Sequence, residues 1–251
     1  MTPPVILVFD YPGRRSEARV ADLRLEEAGY DVRYLMRSPL PRAVSSEDYA
    51  AEAMSRITDP DLRVHAILAY CMAAPLGQEA AVSTRCARLL LFDGEPSTPQ
   101  AIGTEFRSMV ESVETAAAPL PPWWKAELLD DRSDTFLKLS EQYLTALVRR
   151  NVASDSLWDE DASNEDEIEE ATVSLVNTFL DWTAYLVAAY RSDFPAWEGK
   201  VTNFLSRSQA IIGSWPGAAL TESVRVDSDR TGLLSDESTR RLVLEALEAS
   251  R

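Results

Sequence analysis

The sequence predicts an α/β fold: a mostly parallel sheet flanked by helices and interrupted by a block of helices. Over residues 5–93, apolar runs of strand length alternate with segments of helical spacing. That is the pattern of parallel strands joined by right-handed crossovers. Between 100 and 192 the alternation gives way to helical patterns alone, and strand-like runs return near 199 and 223. At 251 residues and 45% hydrophobic content, the chain suits one large domain, 1–251, with the helical stretch 100–192 inserted into it.

Each element has a local reason. Val5 to Phe9 is continuously apolar, as a strand covered on both faces must be. A turn follows at Asp10–Gly13. Val20, Leu23 and Ala28 mark a helix over 16–28, and Gly29 fits the position after its end. Residues 31–35 read as a second strand and 47–57 as a short helix. Ala66 to Tyr70 is a third strand, with a helix over about 72–84. Arg88 to Phe92 is a fourth strand, ending at Asp93. Helices are then expected over 101–115, 134–150 and 165–191, with Pro119–Pro122 separating the first two. Residues 154–170 hold nine acidic residues and no basic one, so this stretch reads as a solvated loop running into a helix start. Strands at 199–205 and 223–226 and a helix over 235–249 complete the chain. A helical block between the fourth and fifth strands is placed as a lid.

The junction Ala69-Tyr70-Cys71-Met72-Ala73 carries the most chemistry. A buried strand turns sharply there into a helix, with a nucleophilic side chain at the corner and small residues two before and two after it. Strand and helix backbones nearly touch at such an elbow, which is why those flanking residues are small.

Composition excludes several classes. With 25 Lys plus Arg against 41 Asp plus Glu, the formal charge of −16 repels nucleic acid and anionic membranes. Cys71 and Cys86 lie on either side of the predicted helix and are read as free thiols of a reducing compartment. The opening residues run straight into a strand without a basic and apolar leader, and nowhere do about 18 apolar residues run together. A cytoplasmic location without membrane insertion is expected.

Four segments together resemble the thioesterase branch of the α/β-hydrolase family, enzymes that act with peptide and polyketide synthases. Phe9-Asp10-Tyr11-Pro12-Gly13 resembles the family's first-strand exit, and Ala69 to Ala73 resembles its elbow. Leu90-Leu91-Phe92-Asp93 is similar to the strand that delivers the triad acid. Val226 to Leu234 resembles a late segment of the form V-x-G-D-H-F-x-L-L, with Arg230 where the family has its histidine. The resemblance implies Cys71 as nucleophile, Asp93 as acid and no triad histidine. It also implies an oxyanion hole from the Met72 amide and a second amide of the Gly13–Arg14 loop.

Each of these residues has a plainer alternative. Cys71 is either a thiolate favoured by the helix start and Arg230, or a small apolar filler in a retired elbow. Asp93 either pairs with Arg230 or simply closes the strand. Arg230 cannot act as a base, because its guanidinium keeps its proton, but it can hold a thiolate, carboxylate or phosphate. Arg14-Arg15 either binds an anionic substrate group, such as a phosphopantetheine phosphate, or is a solvated pair. One of Trp123 and Trp124 lines the substrate channel, or both are core; Trp158, Trp182, Trp197 and Trp215 read as packing. His65, the single histidine, begins the strand that Cys71 ends. Six extended residues at about 3.3 Å each put it roughly 20 Å away, so it cannot serve as base.

The resemblance therefore implies an atypical thioesterase-like protein of peptide or polyketide biosynthesis. It would move an acyl or peptidyl group from a carrier protein through Cys71 to water or, better, to an amine. The alternative is a hydrolase-like binding or scaffold protein without catalysis. No metal or bound cofactor is expected, the acyl group itself arriving on a phosphopantetheine arm. An acidic carrier would need a basic docking patch, for which Arg14, Arg15, Arg33, Arg37 and Arg42 are the candidates.

Overall fold

A computed structural model describes residues 2–11, 18–57, 59, 62–114, 120–154 and 165–249, with the side chains of 152–154 left aside. The chain divides into two compact units: Met1–Leu40, Ser46–Pro96 and Ser192–Arg251 form one, Pro41–Ser45 and Ser97–Arg191 the other.

The first unit is built on a sheet of β1 (Val5–Phe9), β2 (Asp31–Tyr34), β3 (Val64–Tyr70), β4 (Arg88–Phe92), β5 (Trp197–Leu205) and β6 (Ala218–Arg225). Their order is β2-β1-β3-β4-β5-β6, and every neighbouring pair is parallel. The central strands β1, β3 and β4 are the continuous apolar runs of the sequence, and their last four or five residues are all buried. Because all six strands run the same way, their carboxyl ends share one edge of the sheet. The chain moves from β1 outward to β2, then returns to β3 on the other side of β1. Such a reversal leaves a crevice at the carboxyl edge, the usual place for a site in this architecture.

Helix α1 (Ser46–Met54) precedes β3, α2 (Ala74–Thr84) follows it, and α7 (Glu237–Glu248) ends the unit. Helix α2 lies very close to the sheet. A Cβ placed on Gly77 would stand 3.0 Å from Ala69 Cβ and 3.0 Å from Leu89 Cδ1. Small residues on both sides of the elbow are what permit that approach. Gln78, fully buried on the same helix, accepts the Trp215 indole N–H at 2.7 Å. It donates to the carbonyls of Pro195 at 2.9 Å and Pro216 at 3.0 Å. One side chain thus satisfies polar groups on either side of β5 that would otherwise be buried unpaired.

Two elements differ from expectation. Over the described part of 16–28 the chain forms two 3-10 turns, Val20–Leu23 and Leu25–Ala28, instead of one helix. Arg24 at φ 49° breaks them apart, and the tighter winding buries Val20, Leu23 and Leu25 together. Gly29, at φ 88°, does occupy the left-handed position after the second turn. Strand β6 begins at Ala218, five residues earlier than expected. It is the sheet's edge, so its partly exposed polar residues hide it from a search for apolar runs. The acidic loop at 155–164 lies outside the described residues.

The second unit is helical: α3 (Pro99–Val113), α4 (Glu127–Asp131), α5 (Ser133–Ser154) and α6 (Glu165–Tyr190). Thr98 caps α3 by accepting the Ala101 amide at 3.2 Å, and Pro99 opens it. Phe106, Phe136, Leu144 and Leu180 are buried in its core. Arg42, from the short segment joined to this unit, donates to Asp181 at 2.9 Å and Asn177 at 2.8 Å. Among the described residues no helix is long and apolar enough to cross a membrane.

Replacing Gln78 with Leu should lower the unfolding free energy by about 1–3 kcal/mol, since it removes three hydrogen bonds and leaves the buried Trp215 indole N–H unpaired. Chemical denaturation measures this; a loss below about 0.5 kcal/mol would remove Gln78 as the tie.

Candidate active site

The elbow forms as the residue pattern requires. Tyr70 ends β3 in extended conformation (φ −102°, ψ 130°), Cys71 swings to φ 55°, and a 3-10 turn, Cys71–Ala73, leads into α2. A non-glycine residue at positive φ costs about 1 kcal/mol or more and persists where its surroundings impose it. Met72 lies in the first turn after the corner, where backbone amides lack helical acceptors. That is the placement expected of an oxyanion donor.

Three other strand exits meet the elbow. Asp93 leaves β4 at φ 47°, and its fully buried carboxylate accepts the Ser206 amide and the Ser206 hydroxyl, both at 2.7 Å. Next to it, Gly94 donates to Asn203 Oδ1 at 3.1 Å, and Asn203 Nδ2 donates back to the Gly94 carbonyl at 3.2 Å. A Cβ on Gly94 would fall 2.8 Å from Leu91, so only glycine fits. These contacts lock the exit of β4 to that of β5. Arg225, at the end of β6, donates to the Gln209 carbonyl at 2.6 Å and so holds the turn after β5.

The locked exits point Glu95 at the elbow. Its Oε1 lies 3.6 Å from Cys71 Sγ, and its Oε2 accepts from Gln209 Nε2 at 3.2 Å. From the loop after β6, Arg230 brings Nη2 to 2.6 Å from Cys71 Sγ and 3.7 Å from Glu95 Oε1. That loop is fixed by Asp229, whose Oδ1 accepts from the Gly232 amide at 2.7 Å and the Thr231 hydroxyl at 2.8 Å. Both bonds favour its ionised form, the Gly232 amide first, and hold its pKa below the ordinary value. Burial opposes the Arg230 charge. The Cys71 sulfur, the Tyr70 hydroxyl and the Glu95 carboxylate outweigh burial and raise its pKa.

The structure therefore joins Cys71 to Arg230, as expected, and corrects the role of Asp93. No Asp93–Arg230 pair forms: the Asp93 carboxylate is enclosed and spent on Ser206, and the acid facing Arg230 is Glu95. Glu95, Gln209 and Tyr70 were not singled out from the sequence. The available signal was the Asp93-Gly94-Glu95-Pro96 turn, which sets a second carboxylate two residues beyond the expected acid. Gly13, Arg14 and Arg15 lie outside the described residues.

Other expectations resolve by contact. Trp123 and Trp124 pack within the helical unit: Trp124 stands 5.0 Å from Phe136 and 5.4 Å from Phe106, and Trp123 lies 6.0 Å from Phe106, ring centre to ring centre. His65 Nε2 lies 3.1 Å from both the Leu247 carbonyl oxygen and Arg88 Nη1, at the end of β3 opposite Cys71. Of the candidate docking arginines, Arg33 and Arg37 line one pocket, and Arg14 and Arg15 lie outside the described residues. Arg33 pairs with Asp31 at 2.8 Å, and Arg42 is bound to Asp181 and Asn177 in the helical unit. Cys86 is buried, and burial pushes its thiol pKa up.

No protein-family model matches the chain, and no curated protein does. Solved structures do match over nearly its whole length. An α/β-hydrolase family protein from Desulfitobacterium hafniense is 16% identical at a TM-score of 0.54, covering 98% of this chain and 96% of that one. A protein of Pseudomonas aeruginosa named as an epoxide hydrolase is 13% identical at 0.53, covering 99% and 89%. RedJ, solved with a polyethylene glycol molecule in its active site, is 17% identical at 0.50, covering 99% and 92%. The chain has the α/β-hydrolase fold.

A guanidinium in contact with the sulfur favours the thiolate. Iodoacetamide should therefore alkylate Cys71 at neutral pH well ahead of Cys86, as peptide mass spectrometry can resolve. Arg230→Gln should slow that labelling about tenfold at pH 7, with the two rates converging above about pH 9. Equal rates at pH 7 would show that Arg230 does not activate the thiol.

Proposed function

We propose that this protein transfers an acyl group through Cys71, taking it from a thioester and passing it to an amine or to water. The observation that carries the reading is the Arg230 Nη2–Cys71 Sγ contact of 2.6 Å at a strand-to-helix elbow. A thiolate held by a guanidinium attacks without prior deprotonation, which removes the first task of the absent histidine.

The first step forms a bond between Cys71 Sγ and the thioester carbonyl carbon. The Met72 amide lies one residue beyond the sulfur, placed for the oxyanion. The bond to the donor's sulfur breaks, and that sulfur leaves as a thiolate that takes a proton from solvent. In the second step a neutral amine attacks the acyl-Cys71. A C–N bond forms, the C–S bond breaks, and Cys71 departs as the thiolate that Arg230 stabilises. Glu95, 3.6 Å from the sulfur, accepts the proton that the amine loses. Water needs that base before it attacks, whereas an amine needs it only afterwards, so the arrangement favours aminolysis. The thioester class comes from the sequence resemblance, which also makes a carrier protein with a phosphopantetheine arm the donor to try first. Asp93, through Ser206, keeps the turn bearing Gln209 in place and contributes no proton.

A second reading follows from the burial of Cys71, which is only 2% exposed. In that reading the elbow is sealed, and the protein binds acids at Arg230 without turnover.

Incubation with an acyl thioester should add the acyl mass to the protein, and Cys71→Ala should abolish the adduct. Glu95→Gln should still acylate but release the group to an amine about a hundredfold more slowly. An unmodified protein in which Cys71 also resists alkylation would favour the binding reading over transfer.

A further inference from the structure

The buried sulfur touches two side chains that are themselves at the surface. Arg230 and Glu95 expose 31% and 33% of their side chains, while Cys71 is 2% exposed. Both contact Sγ, at 2.6 and 3.6 Å, and they stand 3.7 Å from each other. Gln209 holds the second oxygen of Glu95, so the carboxylate has a fixed station. An electrophile that reaches the sulfur between these two side chains parts Arg230 from Glu95.

The cost of parting them depends on the electrophile. A neutral one separates a half-buried guanidinium from its carboxylate and offers nothing in return. One that carries a carboxylate restores the pairing, because its own oxygens take the place of Glu95 on the guanidinium. Arg suits that exchange: its planar fork accepts carboxylates in bidentate fashion. Because Nη2 lies directly against Sγ, a carboxylate one or two bonds beyond the reacting carbon meets the guanidinium while that carbon meets the sulfur.

We propose that the Arg230–Glu95 pair is an exchangeable latch that selects electrophiles bearing a carboxylate next to the reacting carbon. This rests on Cys71 being the nucleophile and names the class of acyl group it takes: dicarboxylic half-thioesters over simple fatty or peptidyl ones. The overall charge of −16 opposes every anion, so a preference for an anionic reagent can arise only locally.

Paired alkylating reagents test it without any turnover. Iodoacetate and iodoacetamide react alike: the sulfur bonds to the methylene carbon, the C–I bond breaks and iodide leaves. They differ in carrying a carboxylate or an amide beside that carbon. The iodoacetate-to-iodoacetamide rate ratio for Cys71 should exceed that for free cysteine by about two- to fivefold, the scale of a half-exposed ion pair. Arg230→Gln should bring the ratio down to that of free cysteine or below. Glu95→Gln should raise both rates and keep the preference. A further arm needs no variant: malonate should slow iodoacetamide labelling of wild-type Cys71, and malonamide should not. A wild-type ratio at or below that of free cysteine, or equal protection by malonate and malonamide, overturns the latch while leaving a reactive Cys71 as nucleophile. Failure of both reagents to label Cys71 faster than Cys86, in wild type and in Glu95→Gln, overturns the latch and the transfer reading together.

Discussion

The contact between the Arg230 guanidinium and the Cys71 sulfur is the interaction on which the chemistry of this molecule turns. Arginine cannot remove a proton, so a site built around it works only if its partner already lacks one. Serine at this corner would stay protonated and inert. Cysteine, whose ordinary pKa lies near 8.5, is close enough to neutrality for one adjacent positive charge to decide its state. In the proposed transfer reading, Cys71 and Arg230 therefore act as one device, and changing either leaves the other without purpose.

Three further strand exits at the same edge of the parallel sheet, those of β4, β5 and β6, supply the remaining groups. Each exit is fixed by polar contacts instead of by bulk: Asp93 to Ser206, Asn203 to Gly94, Arg225 to the Gln209 carbonyl, Asp229 to Gly232 and Thr231. These contacts leave Glu95 and Arg230 free to face the elbow at short range. The strained corner at Cys71 and the second positive φ at Asp93 belong to the same arrangement, since both turn a strand end sharply toward the shared edge. The close approach of Gly77 to Ala69 lets α2 start immediately behind the sulfur.

Much of this was legible in the chain. The apolar runs of β1, β3 and β4, the small residues around Cys71 and the alignment of Arg230 with a histidine position located both sheet and elbow before any coordinates. What stayed hidden depended on contacts between residues far apart in sequence. Asp93 occupies the position where an acid was expected, yet Ser206, more than a hundred residues later, claims its carboxylate. Glu95 is marked only by its place in the turn after Asp93, a weak signal in a chain that has 41 acidic residues. Strand β6 is half hidden because an edge strand carries no apolar run, and the described part of the helix expected over 16–28 forms two 3-10 turns because Arg24 takes a left-handed conformation.

Thiolate absorbance in the ultraviolet, followed against pH, tests the central contact most directly. Cys71→Ala supplies the blank, which also subtracts Cys86, whose thiol pKa burial pushes up. The account predicts a Cys71 absorbance step centred well below about 8.5 that moves upward by a unit or more in Arg230→Gln. A wild-type step at or above the ordinary cysteine value, unmoved by that substitution, would contradict it.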